Sequence, residues 1–362
     1  MAAELILHIG GFKTGSTSIQ AALAKCNYTV PGKTILYPGV AEREGLAKSR
    51  GQHDRLARTL FPNQPVARHR EARFAAVARR LRKSDADTDY AVLSAEMFEY
   101  VNPQLLAAEI DRHFPEYRDR LRIIGYVRPH AERLVSGYAE RVKHGFFLGS
   151  LEEFHQASSV KDKPHHWGFF YAQRFARWKA CFGDAFQIRP MIRDRLFQQD
   201  VVADFFRIML RSETFRLTGA AVRNTTPSLE DLMTVRLYHE ACGHQGSPSK
   251  AQEVTGVSLI RELNERTAGH ATKLVPSKVL AADIAEVYRA DADALDRDFF
   301  EGTPMADALA AAVARANGDP LQTEDPRRCL AAGEIRLAEA WASVAAAART
   351  PPGKKQSGQA AT

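Results

Sequence analysis

Six consecutive residues, Lys13-Thr14-Gly15-Ser16-Thr17-Ser18, have the types and order that hold an anion. They follow the apolar run Leu5-Ile6-Leu7-His8-Ile9 and the pair Gly10-Gly11, and they lead into Ile19-Gln20-Ala21-Ala22-Leu23-Ala24. That succession reads as strand, glycine-bearing loop and helix start. The first N–H groups of a helix have no acceptor within it, and the helix dipole there favours negative charge. Hydroxyls add donors, Gly15 permits close approach and Lys13 adds a full positive charge. Residue order then narrows the kind of loop. The nucleoside-triphosphatase pattern G-x-x-x-x-G-K-[ST] has Gly directly before Lys and a magnesium-binding hydroxyl directly after it. Here Lys13 precedes Gly15, with Thr14 between them, so that arrangement is not formed. The competing structural reading is a Ser/Thr-capped helix after a glycine turn, without ligand.

A second anion site is suggested further along. The apolar run Ile123-Ile124-Gly125-Tyr126-Val127 ends in Arg128-Pro129, and Ser136 follows about two helical turns into the next predicted helix. An Arg at the C-terminal edge of a parallel strand reaches the crevice where open α/β sheets bind ligands. A guanidinium and a hydroxyl so placed can grip a phosphate. Alternatively, Arg128 makes a structural ion pair and Ser136 is a small packing residue.

Together, His8-Ile9-Gly10, residues 13–18 and Tyr126-Val127-Arg128-Pro129 followed by Ser136-Gly137-Tyr138 resemble the sulfotransferases that use 3′-phosphoadenosine 5′-phosphosulfate, in particular the bacterial carbohydrate type. The resemblance covers roughly residues 5–300, more weakly after Pro190. It implies a three-layer fold like that of the P-loop proteins. It also implies that Lys13, Thr14, Gly15, Ser16, Thr17 and Ser18 hold the 5′-phosphosulfate, that Arg128 and Ser136 hold the 3′-phosphate, and that 3′,5′-adenosine bisphosphate is the product. Lys13 would stabilise charge developing on the leaving phosphate. One motif departs from the pattern: the C-terminal R-K-G-x-x-G-D-W-K of the small-molecule enzymes is absent. The nearest analogue is Arg223-Asn224-Thr225-Thr226, which makes Arg223 a further cofactor-binding candidate. This departure weighs against a steroid or phenol acceptor and favours a carbohydrate or glycolipid hydroxyl.

Sulfuryl transfer needs in-line positioning, neutralisation of the leaving phosphate and a base for the acceptor hydroxyl. Glu96, just past the run Tyr90-Ala91-Val92-Leu93-Ser94, is the first candidate for the base. His53, in the loop before a predicted helix, is the second, with an N-cap role for Asp54 as the structural alternative. His8 reads as a satisfied core histidine. The scheme requires no metal, and the sequence shows no clear ligand cluster.

The elements that must position these residues follow from periodicity. Strands are predicted over 5–9, 34–37, 90–94, 121–127 and 186–190. Helices are predicted over 54–61, 66–83, 103–114, 130–143, 169–182 and 201–210. This alternation predicts an α/β fold with a central, mostly parallel sheet flanked by helices. Helices alone are predicted beyond 226: over 228–241, 258–267, 277–300, 305–316 and 334–348. The expected organisation is a sulfotransferase domain over 1–300 (core motifs within 5–226), a helical extension over 301–350 and a disordered tail over 351–362.

The bulk composition of the 362-residue chain is that of an ordinary globular protein, with 45% hydrophobic and 26% charged residues. A formal net charge of +7 suits an anionic partner without choosing one. Four dispersed cysteines suggest neither a disulfide framework nor a zinc site. With no signal peptide or spanning segment in evidence, the expectation is a cytoplasmic protein, compatible with peripheral membrane contact. Seven Arg and Lys residues crowd residues 68–83, between Phe74, Val77 and Leu81. They read as a solvated helix face in preference to a nucleic-acid patch. His165-His166-Trp167 and the segment 152–168 read as a loop that could shape an acceptor site. Two rivals remain: a P-loop kinase or nucleotide-binding protein, and a non-catalytic binding protein with the sulfotransferase fold.

Overall fold

The computed structural model describes residues 3–38, 53–84, 87–160, 168–218, 227–243, 247–266 and 272–347. Arg223, residues 165–167 and the tail 351–362 lie outside the described residues. The chain divides into two compact units. One comprises 1–133, 168–223 and 285–311, and the other 134–167, 224–284 and 312–362. The divisions after 133, 284 and 311 cut within helices.

The first unit is an α/β structure built on one five-stranded parallel sheet. Its strands are β1 (Glu4–His8), β3 (Ile35–Leu36), β4 (Tyr90–Ser94), β5 (Leu121–Val127) and β6 (Phe186–Pro190), in the order β3-β4-β1-β5-β6. Its central strands are nearly continuous apolar runs, as expected of a parallel sheet covered on both faces. A small antiparallel pair joins β2 (Tyr28–Thr29) to β7 (Arg216–Leu217). On one face, Ile6, Val92, Ile124 and Tyr126 form a core with Ile19 and Leu23 of α1 (Ser16–Ala24) and with Phe205, Phe206 and Met209 of α8 (Val201–Leu210). α2 is Asp54–Arg58, α3 is Arg70–Ser84, α4 is Pro103–His113 and α7 is Ala172–Phe182. α4 packs against α3 and α7. Trp178 of α7 stacks on Phe186 of β6, with ring centroids 5.8 Å apart.

Local rules explain the helix starts. Asn102 accepts from the amides of Gln104 and Leu105, and Pro103 fills the first turn of α4, where no N–H is needed. Asp200 does the same for α8 through Val202 and Ala203. Asp291 plays a similar part. Its carboxylate accepts from the amides of Tyr171 and Ala172 at the start of α7 and lies 2.9 Å from His130 Nε2.

α5 (His130–His144), α11 (Lys278–Phe299) and α12 (Pro304–Arg315) run from one unit into the other. The second unit is otherwise made of α6 (Leu151–Ser158), α9 (Leu229–Ala241), α10 (Lys250–Arg266) and α13 (Ala332–Ala347). α9 packs against α10 and α13 and buries residues all round, which is why its apolar pattern has no single face. The segment from 152 is not the loop that the sequence suggested. Ser150 and Glu153 form a capping box that starts α6. Among the described residues, no helix is long and apolar enough to cross a membrane.

Candidate functional site

β1 delivers the chain to the loop 9–15, and α1 leaves from it. Gly15 occupies the N-cap of α1 at φ 80°, and Lys13 is also left-handed at φ 66°. A β-carbon on Gly15 would lie 2.6 Å from Val201 Cγ1, so both the backbone angle and α8 demand glycine here. Thr14 turns its hydroxyl inward to the carbonyl of Gly11 (2.6 Å). The amides of Ser18 and Ile19 return to the carbonyl of Gly15, while Ser16 and Thr17, the first residues of α1, have no acceptor within the helix.

Two arginines hold the loop from beneath. Arg133 donates to the carbonyl of Phe12, and Arg128 Nη1 donates to the carbonyl of Lys13 at 3.3 Å. The described peptide bonds are trans, so the C=O and N–H of one peptide plane point in opposite directions. With the carbonyls of Phe12 and Lys13 turned to guanidiniums, the amides of Lys13 and Thr14 point the other way. This arrangement presents donors and leaves acceptors tied, which is the polarity an anion requires.

The loop lies where the sheet changes direction. From β1 the chain winds towards β3 and β4, and from β5 it winds the opposite way to β6. The crevice at the carboxyl ends of β1 and β5 is therefore the topological switch point, where open α/β sheets bind ligands. Residues 10–18 follow β1, and Arg128 directly follows β5. Arg128 also pairs with the exposed Glu132 at 3.5 Å, and its carbonyl accepts from the hydroxyl of Tyr171. Ser136 is buried on the stretch of α5 that belongs to the second unit.

The two candidate bases have different surroundings. β4 neighbours β1 with Ser94 level with His8, so Glu96 stands two residues past the pairing, as Gly10 does. Glu96 is half-buried at the start of a 3-10 turn, Glu96–Tyr100. The carboxylate of Asp54 accepts from the amides of Met97 and Glu96, so Asp54 caps this turn rather than its own helix. His53 is buried, and both its nitrogens are engaged. Nδ1 accepts from the amide of Ser94 at 3.0 Å, which leaves Nε2–H to donate to the carbonyl of Pro38 at 2.8 Å. Burial pushes its pKa down to about 4. The ring thus ties the residues after β3 to β4, and its lone pair is committed. His8 is fully buried with Nδ1 2.7 Å from Ser94 Oγ, and burial lowers its pKa to about 3.

A buried charge network lies under the loop, and the sequence reading did not assemble it. Glu99, 1% exposed, accepts from Arg174 at 2.6 Å. A β-carbon on Gly11 would lie 2.1 Å from Glu99 Oε2 and 3.3 Å from Arg133 Nη1. Arg133, 2% exposed, also donates to the hydroxyl of Tyr100 at 2.9 Å, and the Tyr100 ring stacks on Phe12. The one local signal was the spacing of Glu99 three residues after Glu96.

The family models and curated proteins compared contain no match to this chain.

Of the basic residues in and before α3, several serve as structural ties. Arg73 donates to the carbonyl of Arg55, Arg70 to that of Thr59, and Arg82 to Glu116 and to the carbonyl of His113. The face is therefore only partly the solvated one expected.

Proposed function

We propose that the protein transfers a sulfuryl group from 3′-phosphoadenosine 5′-phosphosulfate to a hydroxyl of a carbohydrate or glycolipid. The observation that supports this reading most is the placement of two anion-binding elements at one switch point. The donor-presenting loop follows β1, Arg128 follows β5, and a hydrogen bond joins them at 3.3 Å. A ligand with one phosphate needs only the loop, whereas a nucleotide phosphorylated at both ends uses both elements. The cofactor supplies the sulfuryl group, and the protein supplies position and charge. The amides of residues 14–17 and the exposed hydroxyl of Thr17 grip the 5′ end. Lys13 neutralises charge on the departing phosphate, and Glu96 takes the proton of the attacking hydroxyl. Arg128 contributes to the grip on the 3′-phosphate.

Titration calorimetry with 3′,5′-adenosine bisphosphate, without magnesium, tests the binding half of the proposal. One-to-one binding that Arg128→Met weakens is expected. Folded protein that does not bind the bisphosphate overturns the reading, and ATP that binds tightly and is released by EDTA overturns it in favour of a P-loop kinase. Transfer of radiolabelled sulfate to a surface-glycan extract tests the catalytic half. Binding without transfer to any glycan would mark a non-catalytic binding protein.

A further inference from the structure

Away from the loop, α3 and α4 bring together three side chains that the proposed reaction does not use. Glu109 and His113 stand one turn apart on α4, and Glu71 stands in the first turn of α3. His113 Nε2 lies 3.3 Å from Glu109 Oε2 and 3.5 Å from Glu71 Oε2, and one donor atom from each residue lies within 4.8 Å of the others. Four ligands placed tetrahedrally at zinc bond lengths of about 2.0–2.1 Å are about 3.3–3.4 Å apart. The two His113 separations match that edge.

A second observation points to a ligand. Glu109 and His113 are 7% and 6% exposed, and Glu109 Oε2 and His113 Nε2, which face each other, are both buried without a hydrogen-bond partner. Buried polar atoms left this way cost free energy unless something satisfies them, and native structures contain few. A cation at the centre of the triangle would satisfy both.

We propose that Glu71, Glu109 and His113 bind one divalent transition-metal ion of the zinc class, which fastens α3 to α4. One imidazole and two carboxylates suit Zn²⁺ or Co²⁺ better than Ca²⁺ or Mg²⁺, which prefer oxygen alone. The surroundings orient the ligands. Arg70 holds Glu109 Oε1 at 3.5 Å, and Arg82 holds the carbonyl of His113 at 2.7 Å. The rings of Phe74 and Phe114 lie 5.7 and 6.3 Å from the imidazole and form an apolar wall. Arg112 donates to Glu71 Oε2 at 2.9 Å, but both side chains are about two-thirds exposed, so this pair yields readily to an ion. The sequence hid the site because Glu71 lies far from the other two residues and on a different helix. Among the described residues, no other group of His, Cys, Asp and Glu converges in this way.

The test uses full-length, tag-free protein stripped with a chelator and titrated with Co²⁺ and then Zn²⁺. One equivalent should bind, with the visible absorption of four-coordinate Co²⁺, and Zn²⁺ should bleach that absorption and raise Tm. His113→Ala should abolish the absorption and the Tm shift. Because His113 is buried and its removal could unfold the chain, Glu71→Gln provides the control. Its side chain is 66% exposed, so the metal-free Tm should not change, while affinity should fall by roughly tenfold or more. Absence of saturable binding to the folded wild-type chain overturns the proposal. Equal binding by Glu71→Gln and the wild type does so as well.

Discussion

At the scale of single residues, Lys13 and Glu96 carry the proposed chemistry and His53 does not. His53 has its lone pair on the amide of Ser94 and its proton on the carbonyl of Pro38. Glu96→Gln is expected to lower kcat by roughly 10²–10⁴-fold while 3′,5′-adenosine bisphosphate still binds, which calorimetry and a transfer assay on one preparation would check. Full activity in that variant would remove Glu96 as the base. Lys13→Ala should lower kcat by roughly 10²–10³-fold, with a smaller effect on binding of the product, because its charge matters most as the leaving group departs. The residues proposed to grip the anion are adjacent in sequence, so their type and order single them out. The supports beneath them were not, since Glu99, Arg133 and Arg174 come from a 3-10 turn and two helices, and no spacing rule links them.

At the scale of elements, buried parallel strands are the most legible parts of this chain. Residues 90–94, 121–127 and 186–190 were predicted with the bounds observed: the first two are short, mostly apolar runs, and in the third apolar residues alternate with Gln187 and Arg189 up to Pro190. Helix α6 reads as loop in the sequence although Ser150 and Glu153 stand at capping-box spacing; an eight-residue helix gives too short a pattern to outweigh its polar neighbours. The predicted start of α10 at 258 lay eight residues late, since its apolar residues show little one-sidedness. The join between loop and helix gives a sharp test. Gly15→Ala meets both a φ of 80° and Val201 Cγ1, so it should destabilise the protein by about 1–3 kcal/mol and lower Tm. An unchanged Tm would show that the loop tolerates a different path. Asn102→Ala, which removes only the cap of α4, should cost about 1 kcal/mol in denaturant unfolding without touching nucleotide binding.

At the scale of the whole molecule, buried neutral histidines set the response to acid. His8 and His53 are held near pKa 3 and 4, against an ordinary value of 6.5, chiefly by burial. Their folded pKa values lie below the unfolded ones, so between about pH 6.5 and 4 the unfolded chain binds more protons and stability is lost as the pH is lowered. For His53 the loss on crossing that window is on the order of 3 kcal/mol. Asp54, whose carboxyl is pushed up by burial, acts in the opposite direction and offsets part of it. Urea midpoints should therefore drop between pH 6.5 and 4, and His53→Gln should flatten the curve even if it lowers the plateau. A variant that keeps the wild-type slope would show that other groups govern the response.

The two guanidiniums that hold the carbonyls of Phe12 and Lys13 bear on kinetics as well as on geometry. A loop already tethered in its donor-outward form has little ordering left to do when a nucleotide arrives. Encounter would then be governed by charge and diffusion rather than by a slow rearrangement. The association rate constant should fall steeply with ionic strength, and stopped-flow traces should remain single-exponential and linear in ligand concentration. In Arg133→Met the same traces should level off at high concentration, because the loop would then have to find its binding form in a separate step.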